Sequence, residues 1–276
     1  MGGYWTHSLD PVAIHLVGPL AIRWYGLAYL GGLAWGWWLV QRWCRAGRLP
    51  LAPAQVGDFV LAAGLGMIIG GRLGYCLVYG WQHVLADPLY VVKLWEGGMA
   101  SHGGILGLAA GVWWFARRQR ISGLLLADVV CATAPVGVVL GRAANFINGE
   151  LWGKPATVPW AVIFPEAPLV NGAQVPRHPS QLYALGLEGL LPLLLILPLH
   201  ARHRRPGLTT GCLLVAYAIG RIVGEIWREP DVGHRIFDGW VNKGQVLSLP
   251  VLVIGLVIAW WAWRRGPRPE TYQAAG

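Results

Sequence analysis

The sequence predicts an all-α integral membrane protein, a bundle of seven transmembrane helices. Three observations carry this. Of the 276 residues, 55% are hydrophobic and only 13% charged, against about a quarter charged in an average soluble domain, and the mean hydropathy is +0.47. The apolar residues come in blocks long enough to span a bilayer, which takes about 20 residues as helix. The basic residues alternate from one block end to the next.

In chain order the blocks are Ala21–Trp43, Val56–Tyr79, Gly98–Ala116, Leu124–Ile147, Pro179–Leu199, Leu208–Trp227 and Gln245–Trp263. Asp87–Trp95 (DPLYVVKLW) is too short to cross and is expected at an interface. The first basic residue is Arg23, so no charged segment precedes an apolar core, and the first helix is expected to stay as an anchor rather than be cleaved. The longest connection, about residues 149–178, is expected to form a small outer-face loop subdomain on a single membrane-embedded catalytic domain, 1–276.

The formal charge of +9 raises the question of nucleic acid, and its distribution answers it. Arg42, Arg45 and Arg48 follow the first block, Arg117, Arg118 and Arg120 the third, Arg202, Arg204 and Arg205 the fifth, and Arg264, Arg265 and Arg268 the seventh. Arg23, Arg72, Arg142 and Arg221 lie in spans. Lys93, Lys154, Arg177, Arg228, Arg235 and Lys243 are scattered over the other side. The positive-inside rule then puts the N-terminus outside and the C-terminus in the cytoplasm. The charge reports orientation, not a nucleic-acid partner. The cysteines (Cys44, Cys76, Cys131, Cys212) have no CxxC spacing and read as small buried hydrophobes. Many of the 17 tryptophans sit near block ends, as an interfacial belt does.

Polar groups collect at the outer ends of the blocks. GRAANFINGELWG (Gly141–Gly153) ends the fourth block with Arg142, Asn145 and Asn148 at spacings that share a helical face. Arg23, Trp24 and Tyr25 open the first block, His102 the third, and Gln181 and Tyr183 the fifth. Arg221 and Glu225 lie late in the sixth. Ionisable groups in a membrane are costly and face a cavity or each other, so a polar cavity in the outer half of the bundle is expected. Plainer roles stand beside this. Arg23 suits snorkelling to the headgroups; Arg72, near mid-span, is as consistent with a structural ion pair as with function. Tyr25 fits an aromatic belt, and Glu225 fits a partner of Arg221 at i, i+4. Two arginines at one level suit an anion, and the abundant anion there is a lipid phosphate, which guanidinium matches in a two-pronged geometry. Asparagines supply neutral donors and acceptors, and a histidine can move a proton near neutrality. There is no GxSxG, HExxH or phosphate loop, so nucleophile and electrophile are both expected from substrates. A transporter of an anionic lipid or a structural subunit are the alternatives. Against a transporter, no internal repeat is visible and the polar set favours one face over the midplane.

GRAANFINGELWG resembles the signature of the prolipoprotein diacylglyceryl transferases. So do RWYGL (Arg23–Leu27), GGRLGY (Gly70–Tyr75), WEGGMASHGG, RHPSQLY, YAIGRIVGE, the REPD stretch and GQVLSLP (Gly244–Pro250), in the family's order from Arg23 to Pro250. The resemblance implies a seven-helix enzyme of the bacterial inner membrane with its site toward the periplasmic leaflet. That family transfers the diacylglyceryl group of phosphatidylglycerol to the lipobox cysteine thiol of a prolipoprotein signal peptide, releasing glycerol 1-phosphate, with no metal or cofactor. It implies lipid handling by Arg142, Arg221, Asn145 and Gly153, and catalytic roles for His102, Tyr25, Asn145, Glu150, Arg221, Tyr217 and Glu225, with His102 the candidate to deprotonate the thiol; a tyrosine or water is the alternative. The chain departs from the family at Ala144 (usually glycine), Ser101 (aromatic), Ala184 (acidic, although Glu188 remains) and Lys243 (apolar).

Overall fold

A computed structural model describes residues 3–16, 21–203, 205–230, 235–236 and 241–266. Arg204, Asp231 and Arg268, used in the sequence reading, lie outside the described residues. Each apolar block is a helix. In chain order the elements are β1 (Trp5–Thr6), β2 (Val12–His15), β3 (Ala21–Arg23), α1 (Trp24–Arg45), α2 (Val56–Val78), α3 (Trp81–Ala86), α4 (Ser101–Arg118), α5 (Gly123–Ile147), β4 (Val162–Ile163), β5 (Pro176–Arg177), α6 (Ser180–Ala184), α7 (Leu191–Arg202), α8 (Leu208–Gly224), β6 (Arg235–Ile236), β7 (Val241–Asn242) and α9 (Lys243–Arg265). A π-helical turn, Leu185–Leu190, joins α6 to α7. Asp87–Trp95 is non-crossing, as expected, and folds into short 3₁₀ turns.

Among the described residues, Pro53–Val78, Gly123–Ile147, Ser180–Arg202 and Lys243–Arg265 are long and apolar enough to cross a membrane, and Leu208–Gly224 is a shorter apolar helix. Leu61, Ile69, Leu194, Leu195, Val253 and Leu256 are exposed on these helices, a surface that belongs in lipid rather than water. The chain is a multi-pass membrane protein.

Two block ends shift for a local reason. Ala21–Arg23 pairs as a strand with Val12–His15, so α1 starts at Trp24 and Arg23 is exposed on a hairpin edge. The sixth block ends its helix at Gly224, because Trp227 gives its carbonyl to the Lys154 N–H at 2.8 Å and Arg228 bridges to Gly153.

The described residues divide into two compact units, those of 3–36 with those of 130–266, and Trp37–Val129. In the second, α2 and α4 meet along glycines: a Cβ on Gly107 would fall 2.0 Å from the Gly66 carbonyl oxygen, and one on Gly70 2.4 Å from that of Gly103. Such a seam lets backbones touch where lipid supplies no hydrophobic drive. Arg72, 2% exposed, pairs with no carboxylate among the described residues. It donates to the carbonyls of Tyr90, Val91, Lys93, Gly97 and Gly98. The ion-pair reading of Arg72 is therefore replaced by a clamp on the Asp87–Gly98 connection, whose carbonyls lie outside any α-helical ladder.

In the first unit, β1 pairs parallel with β4 and β4 antiparallel with β5. Val162, Phe164 and Ala167 form a small core there, with Phe146 and Trp152 against it. His7 accompanies this sheet, its Nε2 2.8 Å from the Phe146 carbonyl. The loop after α5 is thus tied to the end of α5.

Candidate active site

The site is built at the π turn. Glu188 lies in it, 2% exposed, within the apolar run LGLEGLL. The wider turn re-aims a side chain without ending the helix. Two other helices come close because glycines permit it. Gly189 lies against Val139 of α5, whose amide nitrogen is 3.0 Å from the place a Cβ would take. Gly220 of α8 lies against the Leu187 carbonyl, 2.3 Å from such a Cβ. Arg142 is one turn beyond Val139 and Arg221 adjoins Gly220, so both guanidiniums arrive at Glu188. Arg142 Nη2 donates to Glu188 Oε2 at 2.7 Å and Arg221 Nη1 to Glu188 Oε1 at 3.4 Å. Arg221 also pairs with Glu225 at 2.8 Å, and Arg228 lies 3.5 Å from the same carboxylate oxygen.

Glu225 is fixed from its other side. Asn242 Nδ2 donates to the Glu225 main-chain carbonyl at 2.9 Å and lies 3.4 Å from Oε2. Gly244, the first residue of GQVLSLP, lies where a Cβ would meet Glu225 Oε1 at 2.7 Å. That motif therefore works as the packing surface of Glu225.

The signature turn adds a second network. Arg142 Nη1 reaches Asn145 Oδ1 at 3.5 Å, Asn145 Nδ2 donates to Glu150 Oε1 at 2.7 Å, and Asn148 Nδ2 donates to the same oxygen at 3.4 Å. The expected shared face of Arg142, Asn145 and Asn148 is present, and Glu150 is what gathers it. Gly153 has a packing reason: a Cβ there would lie 2.5 Å from the His178 carbonyl oxygen and 2.7 Å from that of Trp227. Arg177, buried at 2%, donates to the Gly153 carbonyl at 3.2 Å and to that of Pro168 at 2.8 Å.

A recess is lined by Arg142, Arg221, Arg228, Glu188 and Glu225, with Leu151, Ser180, Gln181, Ala184 and Gly224. Three guanidiniums face two carboxylates, which leaves one positive charge in excess. Arginine keeps that charge even when poorly solvated. Ala184, where the family usually has an acid, lines the recess without charge.

Beside it, Trp160 Nε1 donates to the Tyr183 hydroxyl at 2.7 Å, and that hydroxyl lies 3.1 Å from His178 Nδ1. Trp can only donate, so the Tyr183 oxygen accepts from it. Burial, then the nearby Lys154 ammonium, holds the His178 pKa below its ordinary 6.5.

Of the residues singled out in the sequence, Arg142, Gln181, Arg221 and Glu225 share the recess, with Asn145 and Glu150 joined to Arg142 through hydrogen bonds. Tyr217 stands one turn before Arg221 on α8. Tyr25 is half-buried, its ring 5.2 Å from that of Tyr29. His102 belongs to the other unit, exposed as the second residue of α4. Glu188 is the functional candidate that the sequence reading noted without assigning it a role. Its signal was a lone carboxylate inside an apolar span.

A family model described as prolipoprotein diacylglyceryl transferase matches residues 11–261. The chain belongs to the prolipoprotein diacylglyceryl transferase family. Three relatives, each named phosphatidylglycerol–prolipoprotein diacylglyceryl transferase, are similar along almost their whole length. The protein of Nitrobacter winogradskyi is 46% identical, over 96% of this chain and 92% of the relative. That of Bradyrhizobium diazoefficiens is 46% identical over 95% of each, and that of Vibrio cholerae 41%, over 94% and 93%. Membership in the diacylglyceryl transferases makes the arginine recess the candidate place for chemistry.

Proposed function

We propose that this transferase moves the diacylglyceryl group of phosphatidylglycerol to the lipobox cysteine of prolipoproteins. The observation that carries the assignment to this site is the recess with one excess positive charge, matched to the single negative charge of a phosphodiester. Arg142 and Arg221, with Arg228, hold the phosphate; Asn145 and Glu150 orient Arg142; Glu225 and Tyr217 orient Arg221. The lipobox thiolate attacks the glyceryl carbon. A carbon–sulfur bond forms, the carbon–oxygen bond to phosphate breaks, and glycerol 1-phosphate leaves with the electron pair. The guanidiniums stabilise the charge that builds on it. His102 takes the thiol proton, Tyr25 assists in catalysis, and Gly153 keeps the signature turn against the lipid. The chain works as one catalytic domain of seven crossings, N-terminus outside and C-terminus in the cytoplasm. It sits in the bacterial inner membrane with the recess toward the outer leaflet.

The test is a mass shift. The purified protein, given phosphatidylglycerol vesicles and a lipobox peptide, adds one diacylglyceryl mass to the cysteine, and His102→Ala slows this at least about a hundredfold, as loss of a general base does. Lipid movement without covalent change sinks the transferase reading. An unaltered rate in His102→Ala sinks only the role of His102.

A further inference from the structure

The carboxamide of Gln181 has one end satisfied and the other not. Gln181 is the second residue of α6, 2% exposed, and lines the recess with Arg142, Arg221 and Arg228. Its Nε2 donates to the main-chain carbonyl of Glu150 at 2.5 Å. That carbonyl can only accept, so the amide cannot be turned over, and its orientation follows from chemistry. Oε1 is then a buried acceptor with no donor among the described residues. Buried acceptors are normally paired. The polar neighbours are committed elsewhere: the Ser180 hydroxyl donates to the Leu151 carbonyl at 2.7 Å, and Arg142, Arg221 and Arg228 face Glu188 and Glu225.

We infer that Gln181 Oε1 accepts a hydrogen bond from a headgroup hydroxyl of the phospholipid whose phosphate the arginines hold. This makes Gln181 a specificity-determining residue that distinguishes a polyol headgroup from a plain alkyl one. It rests on the reading of the recess as the phosphatidylglycerol site. A hydroxylated headgroup supplies both things the recess needs, a single negative charge and a neutral donor beside it. An alkyl headgroup has no hydroxyl to offer and leaves Oε1 unpaired. A site built to bond a hydroxyl rejects the analogue that lacks it.

The experiment compares transfer to a lipobox peptide from phosphatidylglycerol and from phosphatidylpropanol, which has the same carbon count and no headgroup hydroxyl. Wild type is expected to favour phosphatidylglycerol in kcat/KM by about 10- to 100-fold. Gln181→Met, similar in length but without an acceptor, is expected to lose that preference, its rate on phosphatidylglycerol falling to that of wild type on phosphatidylpropanol. Equal use of both lipids by wild type overturns the inference. So does an equal slowing of both lipids in Gln181→Met, which would mean that Gln181 only supports Glu150. A measurement independent of any variant uses headgroups with one hydroxyl, 1,2- or 1,3-propanediol, on wild type. Recovery with one of the two is expected, and recovery with neither overturns the inference. Absence of transfer from any lipid would instead bring down the transferase reading beneath it.

Discussion

Glu188 sets the electrostatics of the recess. Its side chain is 1% exposed, while Arg142 and Arg221 are 17% and 18% exposed, so its carboxylate is what keeps two poorly hydrated guanidiniums side by side. Removing one member of such a group leaves uncompensated charge, which costs more than the pair contributes. Glu188→Gln keeps the shape and drops the charge. We expect it to lower stability by about 3 kcal/mol, the low end for a broken buried pair because the arginines retain some exposure, and to cut transfer more than tenfold. Denaturant unfolding in detergent and the peptide assay check this; wild-type stability and rate together would show that the arginines need no internal counter-ion. Arg142, Arg221 and Glu225 were legible as residues because polar groups stand out in apolar runs. The partner of Arg142 was not, since 46 residues separate it from Glu188. Arg72 looked similar to them in sequence and instead serves backbone carbonyls, because a guanidinium is satisfied by either kind of acceptor.

The helices themselves were legible almost to their ends, since a run of apolar residues in lipid has to satisfy its own backbone and does so as helix. The π turn was not, because nothing in LGLEGL marks the extra residue. Glycine positions decide which helices touch, and they act position by position. On α4, Gly107 has the Gly66 carbonyl where a Cβ would go, whereas a Cβ at Gly104 would meet Met67 at 3.6 Å and Gly71 at 4.0 Å, ordinary contact distances. Gly107→Ala is expected to destabilise by about 1–3 kcal/mol through overpacking, and Gly104→Ala to stay within about 0.5 kcal/mol of wild type. Unfolding midpoints of the two variants settle the matter; equal effects would mean that the α2–α4 seam is not tightly packed.

Over the whole molecule, the alternation of arginine clusters predicts which side each connection occupies. Green fluorescent protein fused after residue 266 is expected to fluoresce, as a cytoplasmic C-terminus requires. Alkaline phosphatase fused within residues 165–172 is expected to be active, as an outer loop requires. The reverse pattern would invert the topology and move the recess to the cytoplasmic leaflet. By itself the sequence determined that this is a multi-helix membrane protein of the diacylglyceryl transferase family with an arginine-rich, anion-seeking face. Composition, block length and motif order are local properties, and a bilayer turns them directly into helices. Tertiary structure alone decided that Glu188 bridges Arg142 and Arg221, that Gly244 backs Glu225, and that Gln181 keeps a buried acceptor in the same recess. Those relations join residues far apart in the chain. They exist only because glycine-lined faces let α5, the π turn and α8 approach more closely than side chains elsewhere allow.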